Sequence, residues 1–531
     1  MTAQPRTALE DKKAAAAAVV PSPREIRAVF IGLMIVLGLS AIDQSIVATA
    51  LPRIVGDLGG ASHLSWVVTA YVLASTSVMP LYGKLSDQYG RKPMLYVAII
   101  TFLVGSALSG AAQSLTQLII FRAIQGLGAG GLLPLSQIII GDLVPPAERG
   151  RKQGAIAAVF AVCSVIGPVL GGVITDLLSW HWIFYVNLPV GAVALLAIAK
   201  ALHRRYRSRA QQIDYLGSVL LTASTTALLL VLALGGSEWP WASPQVFGFS
   251  AAGVLLGLIF VWHVRRVPEP VLPLDLFHNR LFVVACAVMG LTFMGLLGAS
   301  VFFPLFFQIV MGVTPAHSGF LTGPLMVGIV IASIFNGRVL LRSGRYKPVQ
   351  VGGLSLAVAA FAVLAWAIAA AQGFAVIEPT VFLLGLGLGL VMPNMTIAVQ
   401  NALPVAHRGV GTATLAFFRS LGGLVGVTGA GAILSQQLHQ AGQGSAGQGA
   451  AGQGAAGVDP SALADIGIQQ ITALSPAAQE AAIAIYRHAI AMTFATGACI
   501  VAVALILLLF LPELPLAGDQ TQADKHPEPG I

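Results

Sequence analysis

Asp43 lies in the middle of an apolar run, residues 28–50. An ionised carboxylate in hydrocarbon costs about 3 kcal/mol at a helix centre and therefore demands a partner or a proton. Burial raises, and a neighbouring cation lowers, the proton affinity of a carboxylate. A site that alternately gains and loses water and ligand can thus bind and release a proton. Arg122 is the partner of opposite sign. With Gln125, Gly126 and Ala129 it falls on one face of a second apolar run at spacings of three and four, which points a guanidinium and an amide together into a bundle. Two readings stay open: a proton-coupling site of Asp43, Arg122 and Gln125, and a structural ion pair that fixes packing without titrating. Arg419 is a second cation inside an apolar run, with no evident acid, and is open to snorkelling, carbonyl bonding or contact with a ligand.

Helices in lipid have to hold these residues. Of 531 residues, 56% are hydrophobic and only 9% charged, against roughly 25% charged in a soluble chain, so there is too little charge to coat a water-facing surface. The net charge of +8 comes from Lys and Arg gathered in short loops, a pattern that reports membrane topology and not a nucleic-acid partner. Cys163, Cys286 and Cys499 all sit in apolar stretches and give neither a disulfide framework nor a zinc site. There is no Walker pattern or metal-ligand cluster, so no cofactor is expected.

Fourteen segments are long and apolar enough to span: 28–50, 65–83, 94–112, 116–140, 154–175, 182–201, 214–234, 247–264, 282–307, 318–340, 349–371, 376–400, 411–434 and 488–511. The first is too long for a signal peptide and lacks a cleavage site after it. An even count puts both termini on one side. All but four of the 29 Lys and Arg share that side, since Arg122 and Arg419 lie within spans and Arg53 and Arg487 in alternate loops, which makes it cytoplasmic. The basic cluster Lys200 to Arg209 enforces this topology and could also touch anionic lipid heads. Ala-Gly-Gln-Gly repeats from Ala441 to Gly457 read as a flexible outside loop.

The spans repeat. Gly83-Lys84-Leu85-Ser86-Asp87-Gln88-Tyr89-Gly90-Arg91-Lys92 is echoed by Gly337-Arg338-Val339-Leu340-Leu341-Arg342-Ser343-Gly344-Arg345 at an offset of 254. Ala147-Glu148-Arg149-Gly150 is echoed by Ala406-His407-Arg408-Gly409 at 259. Two echoes at similar offsets imply homologous halves, spans one to six matching nine to fourteen, with spans seven and eight inserted. The chain then divides into a cytoplasmic tail 1–27, a six-helix half 28–201, a basic loop and two helices 202–281, a second six-helix half 282–511 with an outside loop 435–487, and a cytoplasmic tail 512–531. In the fourth span Gly126, Gly128 and Gly131 satisfy G-x-G-x-x-G, but no strand precedes them, so close helix contact replaces dinucleotide binding. In the fifth, Gly167 with Gly171 and Pro168 with Gly172 make two small-residue faces and a kink.

Over nearly its whole length the sequence resembles the major facilitator superfamily, specifically its fourteen-helix drug:proton antiporter branch. The loop motif with Gly83, Asp87, Gly90, Arg91 and Lys92 matches the superfamily signature. The run Ile42 to Pro52 around Asp43, the run Arg122 to Gly128, and Gly167-Pro168-Val169-Leu170-Gly171-Gly172 with Gly154 match the branch's motifs in helices one, four and five. Cys163 departs from the usual glycine, and Leu341 replaces an acid in the second loop copy, so the resemblance places a complete charge latch only in the first half.

The resemblance implies an all-helical transporter, not an enzyme, in a bacterial cytoplasmic membrane. It would export lipophilic, often cationic compounds in exchange for protons by alternating access, using the proton gradient and no bound cofactor. Its partners are small lipophilic substrates, protons and lipids. It is expected as a monomer, with room for a periplasmic adaptor. Tyr71, Phe293, Met294, Phe303, Met392, Asn394, Phe417 and Arg419 are candidates for the substrate walls, each also readable as ordinary packing. A dedicated exporter of one lipid, siderophore or self-made antibiotic, and a non-transporting scaffold or receptor on this fold, remain alternatives.

Overall fold

The computed structural model describes residues 23–58, 64–144, 146–201, 214–236, 238–343, 345–404, 407–447 and 476–513. The tails up to 22 and from 514, most of the basic loop and the repeats beyond 447 lie outside them.

Among the described residues fourteen long helices follow one another: α1 (Pro23–Leu58), α2 (Leu64–Tyr89), α3 (Arg91–Gly110), α4 (Leu115–Leu143), α5 (Pro146–Leu177), α6 (Asn187–Ala201, after a helical turn Trp182–Tyr185), α7 (Tyr215–Leu234), α8 (Pro244–Val264), α9 (Arg280–Leu305, extended by a π-turn Phe306–Val310), α10 (Pro315–Ser343), α11 (Lys347–Ala369), α12 (Phe374–Ala402), α13 (Arg408–Gly447) and α14 (Pro476–Leu509). Short polar side chains start several of them: Ser114, Asp214, Ser243 and Asn279 accept first-turn N–H groups of α4, α7, α8 and α9. Among the described residues, twelve helices are long and apolar enough to cross a membrane. The other two, α2 and α5, also have the length, and α5 includes the apolar stretch Ile166–Leu177. These two pack against α13 and α10 where the halves meet, so part of their surface faces protein instead of lipid. α13 and α14 run past the apolar segments into the expected outside loop.

The packing repeats as the echoes predict. α4 lies between α2 and α3, and α1 packs on α5 and α6; correspondingly α12 lies between α10 and α11, and α9 packs on α13 and α14. Glycines set these contacts at matching positions. A side chain on Gly128 would strike Phe102 of α3, and one on Gly387 would strike Ala357 of α11. Gly167 sits on α1 beside Ile42 and Ser45, as Gly426 sits on α9 beside Met294. With little hydrophobic drive between helices in lipid, such close backbone approach supplies the packing. The halves meet along two seams, α2 with α13 and α5 with α10. The inserted pair breaks the symmetry: α7 and α8 pack together, and α7 docks on α2 and α13, where Thr226 Oγ1 donates to Ser77 Oγ and Thr428 Oγ1 to Leu232 O.

Gly128→Val should cost about 1 to 3 kcal/mol, because backbone atoms of Phe102 would have to move. Thermal unfolding in detergent should fall for it and stay unchanged for Gly352→Ala, whose added carbon meets nothing within 4 Å.

Candidate functional site

Asp43 projects from α1 into the first half with 0% of its surface accessible. Three donors bond its carboxylate. Arg122 Nη1 donates to Oδ2 at 2.8 Å, Gln125 Nε2 to Oδ1 at 2.7 Å, and Asn187 Nδ2 to Oδ1 at 2.8 Å. Arg122 also donates to Gln125 Oε1 at 2.7 Å and to Val67 O at 3.4 Å, while the Tyr71 ring covers its guanidinium at 4.1 Å. Asn187 and Ser106 close the cluster from α6 and α3, with Asn187 donating to Ser106 Oγ and Ser106 to Phe184 O, both at 2.9 Å. The expected trio is therefore assembled. Asn187 and Ser106 were not foreseen, for a lone amide and a hydroxyl on other helices bear no spacing relation to Asp43; the one available signal was the polar Asn187 inside an apolar span.

The second half keeps the frame without the charges. Gly126, Gly128 and Gly130 align with Gly385, Gly387 and Gly389, which sets Val381 and Leu384 where the first half has Arg122 and Gln125. The helix contacts above likewise align Asp43 with Gly295 and Ser106 with Phe361. Lys92 Nζ bonds Ala199 O of α6 as Lys347 Nζ bonds Leu509 O of α14, aligning Asn187 with Gly497. Gly295, Phe361 and Gly497 line an apolar cavity of about 60 Å³ together with Met294, Gly426 and Phe494.

At the opposite end of α2 lies the loop motif. A side chain at Gly83 would strike Ala413 and the Gly409 carbonyl of α13, so glycine is required for the halves to meet there. Asp87 accepts the Val410 N–H at 3.0 Å, capping the first turn of α13 across the seam. Arg91 Nη1 pairs with Asp87 Oδ1 at 2.5 Å, and its Nε pairs with Asp142 Oδ2 at 3.1 Å. Burial pushes the Asp87 carboxyl above its usual range, against the pull of Arg91. Gly90 turns the chain at φ 97°, a conformation that favours glycine. Nearby Gln400 of α12 donates to Gln137 O of α4. In the second-half copy, Arg345 reaches Glu513 at 3.5 Å, while the side chain of Leu341 lies outside the described ones. The other echo holds in both halves: Arg149 donates to Val144 O and Gly141 O, and Arg408 to Leu403 O.

Gly154 abuts Ser333 and Ile334 of α10, whereas Gly167 and Gly171 abut Ser45, Ile46 and Thr49 of α1. Gly172, beside Pro168, meets nothing within 4 Å, so only one of the two small-residue faces is a helix contact. The candidate substrate residues do not form one wall. Tyr71 stacks on Arg122, Phe303 is fully buried against Phe307 and Phe494, and Asn394 exchanges two hydrogen bonds with Asn336. Met392 packs on the second-half core, Phe417 meets Phe418 edge-on, and Met294 lines the apolar cavity. Phe293 lies under Arg419, whose guanidinium is 5.1 Å from the ring centroid.

Two six-helix bundles that repeat one packing frame, the first holding a buried ion pair and the two meeting at a glycine-dependent contact, define a class of membrane transporter. Residues 33–427 match the family model of the Major Facilitator Superfamily, and the chain belongs to it as a multi-pass membrane transporter, not an enzyme. "Multidrug transporter protein MdtP" of Bacillus subtilis (strain 168) is 38% identical over 404 residues, 76% of this chain and 74% of that protein. "Multidrug resistance protein 3" of the same organism is 39% identical over 410 residues, 76% of this chain and 79% of that one. Among solved structures, the proton:xylose symporter XylE shares the fold, with a TM-score of 0.61 at 13% identity over 94% of this chain and 99% of that chain.

Asp87→Asn should loosen the latch, exposing a cysteine placed at Val410, in a background lacking the native cysteines, to water-soluble maleimide several-fold faster. Exchanging Asp87 and Arg91 should not restore protection, because arginine cannot accept the Val410 N–H; full restoration would reduce the latch to a simple charge pair.

Proposed function

We propose that this transporter is a proton-coupled exporter of lipophilic small molecules, with fourteen spans, both termini cytoplasmic, in a bacterial cytoplasmic membrane. The observation that carries the reading is the closed network on Asp43. Protonating this carboxylate would leave the Arg122 guanidinium as an uncompensated charge in a dry site, so a proton cannot arrive without local rearrangement. Gly167 and Gly171 put α5 directly on the α1 segment bearing Asp43, and α5 also forms a seam with the second half, a short path from protonation to the motion of the halves. The latch would hold the cytoplasmic end shut in an outward-open state. The names of the Bacillus subtilis relatives support multidrug efflux as the substrate side of the reading.

The test is reconstitution of wild type and Asp43→Asn in liposomes with an imposed pH gradient, following dye flux and internal pH together. Dye and protons should move oppositely in wild type, and the variant should lose gradient-driven flux at least tenfold. Retained coupling in the variant would make the carboxylate structural. No flux from wild type across a broad panel would favour a single dedicated substrate or a non-transporting role.

A further inference from the structure

We propose that Arg419 and Phe293 form a subsite for the anionic, aromatic end of an exported molecule, so that the substrates are acidic amphiphiles carrying a carboxylate. This rests on the export reading above and narrows it.

Arg419 lies eleven residues into α13 from Arg408, about 16 Å along the axis and hence near the middle of a hydrocarbon layer about 30 Å thick. Snorkelling to either interface is beyond one side chain from that depth. Its direction follows from the contacts of α13. Phe418, Gly422 and Gly426 face α9, while Ala413 and Ser420 face α2, where Ser420 Oγ lies 3.7 Å from Met79 Sδ. Arg419 falls on the arc between those faces, where the two halves oppose each other, and both it and Phe293 are partly accessible.

The pair has no structural duty of the kind that explains the other cations. Arg122 is bound by Asp43, Gln125 and the Val67 carbonyl, and Arg149 and Arg408 bond helix-end carbonyls. Among the described residues Arg419 makes no ion pair or hydrogen bond, and its contact is the face of Phe293. By the offset of 259 that aligns Gly167 with Gly426, the first half carries Phe160 at this position, so the scaffold does not require a cation there.

Charge accounting points the same way. Asp43 is inaccessible and already paired with Arg122, which leaves it no free charge to offer a cationic ligand. The charge offered between the halves at mid-membrane is positive. A guanidinium binds a carboxylate through two parallel N–H donors, and an aromatic body attached to that carboxylate can lie against the Phe293 ring.

The experiment is equilibrium binding to the full-length protein in lipid nanodiscs with three probes on one ring system: 1-naphthylacetate, its neutral amide, and naphthylmethyl-trimethylammonium. Wild type should bind the carboxylate at least tenfold more tightly than either other probe. Arg419→Gln should erase that preference, Arg419→Lys should keep part of it, and Phe293→Leu should weaken carboxylate and amide alike. Thermal unfolding of each variant reports its folding, and the wild-type ranking decides even if one variant fails to fold. Equal or tighter binding of the amide or ammonium probe, no binding of the carboxylate, or an unchanged preference in a folded Arg419→Gln overturns the proposal. Gradient-driven flux of the same probes in liposomes separates the two readings. Carboxylate preference without gradient-driven flux would leave the subsite and sink the exporter, and flux without that preference would do the reverse.

Discussion

A carboxylate and a guanidinium can sit in the middle of a membrane only if protein surrounds them and each satisfies the other. Much of the first half is arranged around that condition. α4 carries Arg122 and Gln125 and is enclosed because its glycines let α2 and α3 approach to backbone contact. α6 begins at Asn187, so the amide lands at the level of Asp43, and Ser106 of α3 completes the ring of donors. The cluster thus lies wholly within one bundle.

The duplicated half shows what the frame is worth without its charges. The glycine ladder of α12 survives against α10 and α11, yet apolar residues and glycine replace each polar member of the cluster, and an apolar cavity remains where the first half holds its ion pair. Helix packing and chemistry are therefore separable: the contacts depend on small residues at fixed spacing, the chemistry on a few side chains mounted between them. The inserted α7 and α8 add to this asymmetry by covering one seam and leaving the other free.

The architecture was largely legible in the sequence, because a membrane helix advertises itself as a long apolar run and the loop echoes located the duplication. Asp43 and Arg122 could be paired in advance as rare charges of opposite sign within spans. Partners that are chemically ordinary were invisible. Asn187 and Ser106 resemble countless polar residues in membrane helices, and the acceptor role of Asp87 toward the Val410 N–H involves a backbone group that carries no residue signal. Aromatic and amide candidates read as pocket walls proved hardest to judge. Phe303 lies against Phe494 and Asn394 bonds Asn336, and only three-dimensional contact distinguishes such residues from Phe293, which an arginine covers.

Confining the charged cluster to one copy of a duplicated frame also shapes how such a protein can diverge. Substitutions in α9 to α14 alter volumes and surfaces but touch none of the groups on Asp43. The sequence of that half can thus change widely without disturbing the ion pair in the other. Changes of shape in that half can then accumulate in many small steps, none of which has to rebuild the buried ion pair.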